Sequence, residues 1–376
     1  MTSDLKHDNQ RVYNFSSGPA ALPLTVLERA REEFMNLPGC GASVMEISHR
    51  SDAFDHILES ARLRIRRLLA VPADYTILFL QGGSRLQFSM VPMNLLQEGR
   101  TASFIVSGHW SKAAMREAEK FGSVEACWNG QESDFKELPE TSQLCFDKDA
   151  SYVHMTSNET IQGLQYRQEP DTGDTPLVCD ASSDFLSRPI EISRYGLIFA
   201  CAQKNAGPAG VTVVILRNEL LERSQKSLPG YLNYQNHAGN ESRYNTPPTF
   251  AIYMLDLVCR WLEEEMGGLA GIARVNEAKS RLLYDLLDNS EGFYRPHAKP
   301  DARSVMNVTF RLPSEQLELD FIQQADQKGL ASLAGHRSVG GIRASIYNAM
   351  PIAGVESLCD FMKQFRDSAA EVNKHA

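Results

Sequence analysis

The sequence predicts an α/β protein, in which a large domain with a mainly parallel sheet flanked by helices is followed by a smaller α+β domain. Two observations carry this. As far as Glu265, short runs rich in apolar and β-branched residues alternate with helix-length amphipathic stretches, the pattern of strands joined by crossover helices. Met266-Gly267-Gly268 then interrupts the pattern, and the order changes to helix, strand, helix, strand, helix. We therefore divide the chain into a lead-in of residues 1–12 with no assigned function, a large domain of 13–266 and a small C-terminal domain of 267–376.

The elements follow in order. Thr76–Leu80, Ala102–Ser107, Ser151–Thr156, Pro176–Asp180, Leu197–Cys201 and Val211–Leu216 read as strands. Ahead of them, Phe54–Ala70 is a helix: Phe54, Ile57, Leu58, Ala61, Ile65, Leu68 and Leu69 recur at the helical period of about 3.6 residues, with Ser51 or Asp52 as N-cap. Thr249–Glu265 is a long apolar helix and Leu269–Leu287 a charged amphipathic one. The small domain continues with strand Val305–Phe310, helix Gln316–Lys328, strand Gly341–Tyr347 and helix Val355–Phe365.

Composition narrows the function classes. Of 376 residues, 43% are hydrophobic and 23% charged, an ordinary globular balance. The 38 basic and 47 acidic side chains give 38 − 47 = −9, which argues against a nucleic-acid surface. No apolar run approaches the ~20 residues of a membrane span, and no targeting segment is visible. Seven scattered cysteines without a C-x-x-C pair read as reduced thiols of a cytoplasmic protein. No set of residues has metal-ligand spacing.

Ligands of open α/β sheets bind outside the carboxyl ends of the strands, so candidate ligand-binding residues are those that follow each strand. Gln81-Gly82-Gly83-Ser84-Arg85 follows the first strand; two glycines, a helix N-terminus and an arginine make a phosphate cup, although a Gly-rich turn alone would look the same. Trp110 follows the second strand, where an indole can stack on a flat ligand, although taken alone it reads as a surface-loop anchor. Ser157-Asn158-Glu159-Thr160 is turn chemistry that decides nothing by itself. Asp180 closes one strand, and Lys204 follows another ahead of Asn205-Ala206-Gly207-Pro208-Ala209-Gly210. A solvated lysine and a helix-capping aspartate are the ordinary readings of each alone. Together with the cup and the indole they fit a lysine that bonds pyridoxal and a carboxylate beside its pyridine nitrogen.

These residues resemble the phosphoserine aminotransferases, pyridoxal-phosphate enzymes of fold type I and class V. The resemblance runs over nearly the whole chain, from Asn14-Phe15-Ser16-Ser17-Gly18-Pro19-Ala20 through Ser48-His49-Arg50-Ser51, Ala202-Gln203-Lys204-Asn205 and Asn245-Thr246-Pro247-Pro248-Thr249 to Gly335-His336-Arg337-Ser338 and Arg343-Ala344-Ser345. It implies that Lys204 is the Schiff-base lysine and Asp180 the pyridine partner. Trp110 would stack on the ring, and Ser84, Arg85, Thr160 and Gln203 would hold the phosphate cage. Asn245 and Thr246 would reach the cofactor of a neighbouring subunit, which implies a homodimer with shared active sites. Arg343 would clamp the substrate carboxylate, while His49, Arg50, His336 and Arg337 would receive the substrate phosphate or the distal carboxylate of glutamate. The implied reaction converts 3-phosphohydroxypyruvate and glutamate to O-phosphoserine and 2-oxoglutarate in serine biosynthesis, with 4-phosphohydroxythreonine as a further substrate. Two alternatives stand beside it: a paralogue acting on another phosphorylated or acidic oxo acid, and a non-catalytic dimer that keeps the fold as a scaffold. Retention of both Lys204 and Asp180 speaks against the second.

Overall fold

The computed structural model describes residues 11–375, so most of the expected lead-in lies outside the described residues. A seven-stranded sheet forms the centre, in the spatial order Tyr75–Leu80, Thr212–Arg217, Leu197–Cys201, Leu177–Asp180, Tyr152–Thr156, Thr101–Val106, Ser123–Asn129. Only Thr212–Arg217 runs against the others, so the sheet is mixed but mostly parallel, as anticipated. Six of its strands are buried on both faces because both faces are covered there. Along Leu197–Cys201, Ile198 and Ala200 enter one core with helices Asp52–Leu68 and Thr249–Glu264. Leu197 and Phe199 enter the opposite core with helices Gly83–Leu95 and His109–Ala118. Of the two candidate caps, Ser51 caps Asp52–Leu68, its Oγ accepting from the Phe54 amide at 3.4 Å.

Six of the seven strands were foreseen. The seventh, Ser123–Asn129, was not: it is an edge strand in which only Cys127 is buried, and it lacks the apolar run that marked the others.

The second body carries an antiparallel sheet of Arg295–Pro296, Asn307–Arg311 and Ile342–Ser345. Helices Glu315–Gln327 and Ile352–His375 cover it through an aromatic cluster of Tyr294, Phe310, Phe321, Phe361 and Phe365. The chain's first strand, Tyr13–Asn14, pairs in parallel with Leu330–Ala331, and Phe15 is fully buried in this same core. Residues from 13 onward therefore start in the second body, on the other side of the division drawn from the sequence; a two-residue strand has no period to read.

Helix Gly268–Asp288 begins at the anticipated glycine break, with Gly267 and Gly268 both at φ +69°. It serves both cores: Leu269 and Ile272 pack with the large one, Leu283 and Leu287 with the small. Midway, the buried Lys279 ammonium donates to the carbonyls of Ile346, Tyr347 and Met350 at 2.9, 2.7 and 3.1 Å. Among the described residues no helix is long and apolar enough to cross a membrane.

Candidate active site

The strand ends converge on a cavity of about 370 Å³ between the two bodies. Its floor is the turn after Tyr75–Leu80. Gly82 sits at φ +94°, and a Cβ there would stand 2.4 Å from Leu86 Cδ2, so the turn admits no side chain at that position. Helix Gly83–Leu95 starts at this turn, and Gly82, Gly83, Ser84 and Arg85 line the cavity. The first-turn amides of such a helix have no intrahelical acceptors and suit an oxyanion.

From that cup a hydroxyl chain leads to the carboxylate. Ser84 Oγ lies 2.6 Å from Ser182 Oγ; the Ser182 hydroxyl donates to Asp180, and the Ser182 amide donates to the same Oδ1 at 3.0 Å. Asp180 is buried at the end of its strand. Burial pushes its pKa up, while the Ser182 hydrogen bonds and the nearby Lys204 charge oppose the rise. A cationic ring nitrogen beside it would favour the ionised form.

Lys204 projects from the turn after Leu197–Cys201. Its Nζ donates to Thr160 Oγ1 at 3.1 Å and stands 5.8 Å from the Trp110 ring centroid. Burial works against the ammonium, but Tyr347, Cys201 and Asp180 around it outweigh burial and raise its pKa, with Arg343 opposing them. The Arg85 guanidinium covers Trp110 at 5.1 Å. Arg343 is half-buried, its pKa lowered by burial, and has no carboxylate within ion-pair distance among the described residues.

A polar ligand fits this cavity. Among its lining residues, Trp110 Nε1, Thr156 Oγ1 and Arg343 Nε are buried polar atoms with no partner among the described residues, an arrangement that costs stability unless something else satisfies them.

Ser84, Arg85, Trp110, Thr160, Asp180, Gln203, Lys204, His336 and Arg343 thus share one cavity. The single chain does not bring His49, Arg50, Arg337, Asn245 or Thr246 to it. His49 is half-buried and the other four are exposed. The Thr246 carbonyl accepts from Gln81 Nε2 at 2.7 Å, tying that loop to the residue before the glycine pair.

Sequence reasoning passed over Glu159. This buried carboxylate accepts the Trp110 amide at 2.9 Å, the Ser111 amide at 2.8 Å and the Ser111 hydroxyl at 2.7 Å, so it caps helix His109–Ala118. Burial raises its pKa against those bonds. A Cβ at Gly108 would meet Glu159 Cδ at 2.6 Å, and this pairing of a glycine with an acid 51 positions later leaves no periodic trace. Tyr347 was also passed over. Its hydroxyl donates to the Ser17 carbonyl at 3.0 Å and accepts from Asn307 Nδ2 at 3.2 Å.

Fold and cavity together define a pyridoxal-phosphate-dependent transferase, and comparison with known proteins agrees: a sequence model of the family "Aminotransferase class-V" matches residues 12–358, and the chain belongs to that family. Within it the chain is a member of the phosphoserine aminotransferases. It is 53% identical over 358 residues to the phosphoserine aminotransferase of Rhodopirellula baltica, covering 95% of both chains. The phosphoserine aminotransferase structure from Bacillus circulans subsp. alkalophilus superposes with a TM-score of 0.94 at 48% identity, over 96% of this chain and 99% of that one. That of the pyridoxal-phosphate-bound enzyme from Trichomonas vaginalis gives 0.89 at 40% identity, over 94% and 100%. The protein is accordingly a pyridoxal-phosphate-dependent aminotransferase.

Proposed function

We propose that this enzyme transfers an amino group reversibly between glutamate and 3-phosphohydroxypyruvate, giving 2-oxoglutarate and O-phosphoserine in serine biosynthesis, in two half-reactions at one site. The observation that carries the proposal is the occupancy of one cavity by three charges: Lys204, the buried Asp180, and Arg343, which has no acidic partner among the described residues. When bound, pyridoxal phosphate supplies an electron sink for the negative charge that develops on the substrate α-carbon.

This chain's own residues do the rest. Lys204 Nζ, held by Thr160 Oγ1, would bind the cofactor and would serve as the base and then the acid for the substrate α-proton. Asp180, fixed by two bonds from Ser182, would stand against the pyridine nitrogen and favour its protonated form. The cup at Gly82–Arg85 and the Gln203 side chain would hold the cofactor phosphate, and Trp110 would lie against the ring. Arg343 offers a planar fork to the α-carboxylate, leaving the other end of the substrate to His336.

The partners in this reading are small anionic substrates and a second copy of the chain. Asn245, Thr246, Arg337 and the His49–Arg50 pair stand outside the cavity of their own chain, which suits delivery of at least some of them to a partner's site. We place the enzyme in the cytoplasm, in keeping with cysteines that form no disulfide among the described residues.

The test is spectroscopic. Incubation with pyridoxal phosphate gives a visible absorbance band that glutamate or phosphoserine bleaches. Lys204→Ala abolishes the band and lowers turnover by roughly 10³-fold or more. A band unchanged in that variant, or no preference for 3-phosphohydroxypyruvate over its unphosphorylated analogue, overturns the proposal.

A further inference from the structure

Beside the Lys204 cavity lies a wider one of about 770 Å³, and the two share Ile161, His336 and Arg343. It opens between the bodies: Lys112 and Lys136 come from the large one, Arg295 and Arg311 from the small. With Arg343 these are five lysines and arginines, facing a single carboxylate, Asp134. In a chain of net charge −9 such a concentration is local.

Their pairing shows how little of that charge is compensated. Lys136 meets Asp134 at 3.4 Å, both largely exposed, and Arg311 meets Glu318 at 2.6 Å. Lys112 rests only on the amide oxygen of Gln131 at 3.2 Å, and Arg295 on the Leu312 carbonyl at 2.6 Å. Both acceptors are neutral. His109 and His336 mark the junction of the two cavities, their rings 5.5 Å apart; burial holds both below the usual imidazole range, with His336, Arg85 and Arg116 adding to it at His109 and Arg343 and Arg337 at His336.

Five like charges turned into one cavity repel one another, and the ion pairs of Lys136 and Arg311 offset only two of them, so the cavity keeps an excess of positive charge that suits a visiting anion. The cavity is large enough for a hydrated small molecule. It also leads to Arg343, the guanidinium placed for the substrate carboxylate. We infer that the outer cavity is a vestibule: a second, transient binding site for substrates with an anion at each end, phosphorylated or dicarboxylic, on their way to Lys204. This rests on the substrate class proposed above. Because the overall charge repels such substrates, a cationic funnel raises the encounter rate most at low salt.

The test uses the cofactor-loaded enzyme. Rapid mixing with O-phosphoserine measures the second-order rate of bleaching of the visible band at about 20 and about 300 mM salt, either side of the range where screening sets in. Lys112→Gln/Lys136→Gln removes two vestibule charges. Lys148→Gln/Lys363→Gln removes two exposed lysines elsewhere and controls for net charge. The vestibule variant is expected to lose roughly three- to tenfold in rate at low salt, to lose less than about twofold at high salt, and to keep the saturating rate. The control should follow the parent at both. Equal rates and salt slopes in the two double variants overturn the vestibule. If the parent fails to react with O-phosphoserine at all, the substrate proposal falls instead, and the same comparison is run with glutamate, where equal slopes again overturn the vestibule.

Discussion

Arg343 reaches the cavity without an acidic partner among the described residues, and burial already works against its charge. It is therefore poised to gain from a carboxylate ligand. Arg343→Lys keeps the charge but loses the planar fork, and should cost roughly tenfold in kcat/KM for both amino donors. The expected loss lies in KM, which steady-state kinetics on the two half-reactions will separate from kcat. His154 makes the contrasting residue-level case. It is stacked on Phe104 at 4.9 Å, both ring nitrogens are buried without partners, and burial pushes its pKa down to about 3. Between that value and the ordinary value of 6.5 the unfolded chain binds a proton the native state does not, so stability falls as pH drops below 6.5. His154→Phe removes that linkage and should narrow the loss of Tm between pH 7 and pH 5, which thermal melts at the two pH values will measure. Lys204, Asp180 and Trp110 stood out in the sequence because each is an unusual residue type just at or after a strand end, whereas Arg343, inside a strand, was singled out only through family resemblance. His154, in mid-strand, has no such signature.

Two helices begin at the cavity, and each is set by a different device. Helix Gly83–Leu95 depends on the left-handed turn at Gly82; Gly82→Ala combines strain at positive φ with a contact against Leu86. It should destabilise the fold by about 1–3 kcal/mol and weaken cofactor affinity, both measurable by denaturant titration and by spectroscopic titration with pyridoxal phosphate. Helix His109–Ala118 depends on Glu159, which receives three donors at the helix start. Glu159→Ala leaves those donors buried and unsatisfied, a loss of about 2–3 kcal/mol in the same titration, and it frees Trp110 to move. Glu159→Gln retains one acceptor oxygen and should fall between the two. The elements themselves were read well where the pattern was strong: Leu197–Cys201 is as anticipated, and most boundaries differ by one or two residues. Helix Ile352–His375 runs well past the apolar stretch that predicted it, because the sequence from 366 to 375, RDSAAEVNKH, has few large apolar residues to mark it.

At the scale of the molecule, the doubly covered sheet and the chemistry at its edge were legible, since both arise from periodicity and from residue types that are unusual at strand ends. The assignment of residues to bodies was less so. Tyr13–Asn14 and its strand partner Leu330–Ala331 lie more than 300 positions apart in the chain, and nothing local connects them. His49, Arg50, Arg337, Asn245 and Thr246, which stand outside the cavity of this chain, were singled out only through family resemblance. Helix Gly268–Asp288 was read as the opening of a separate domain, yet it contributes Leu269 and Ile272 to one core and Leu283 and Leu287 to the other. A helix held in common cannot melt with one core and survive with the other. Heat should therefore take both bodies through a single cooperative transition, for which scanning calorimetry would record one peak per folded unit instead of two, and a substitution such as Leu283→Ala in the small core should lower the melting of the large sheet by the same number of degrees.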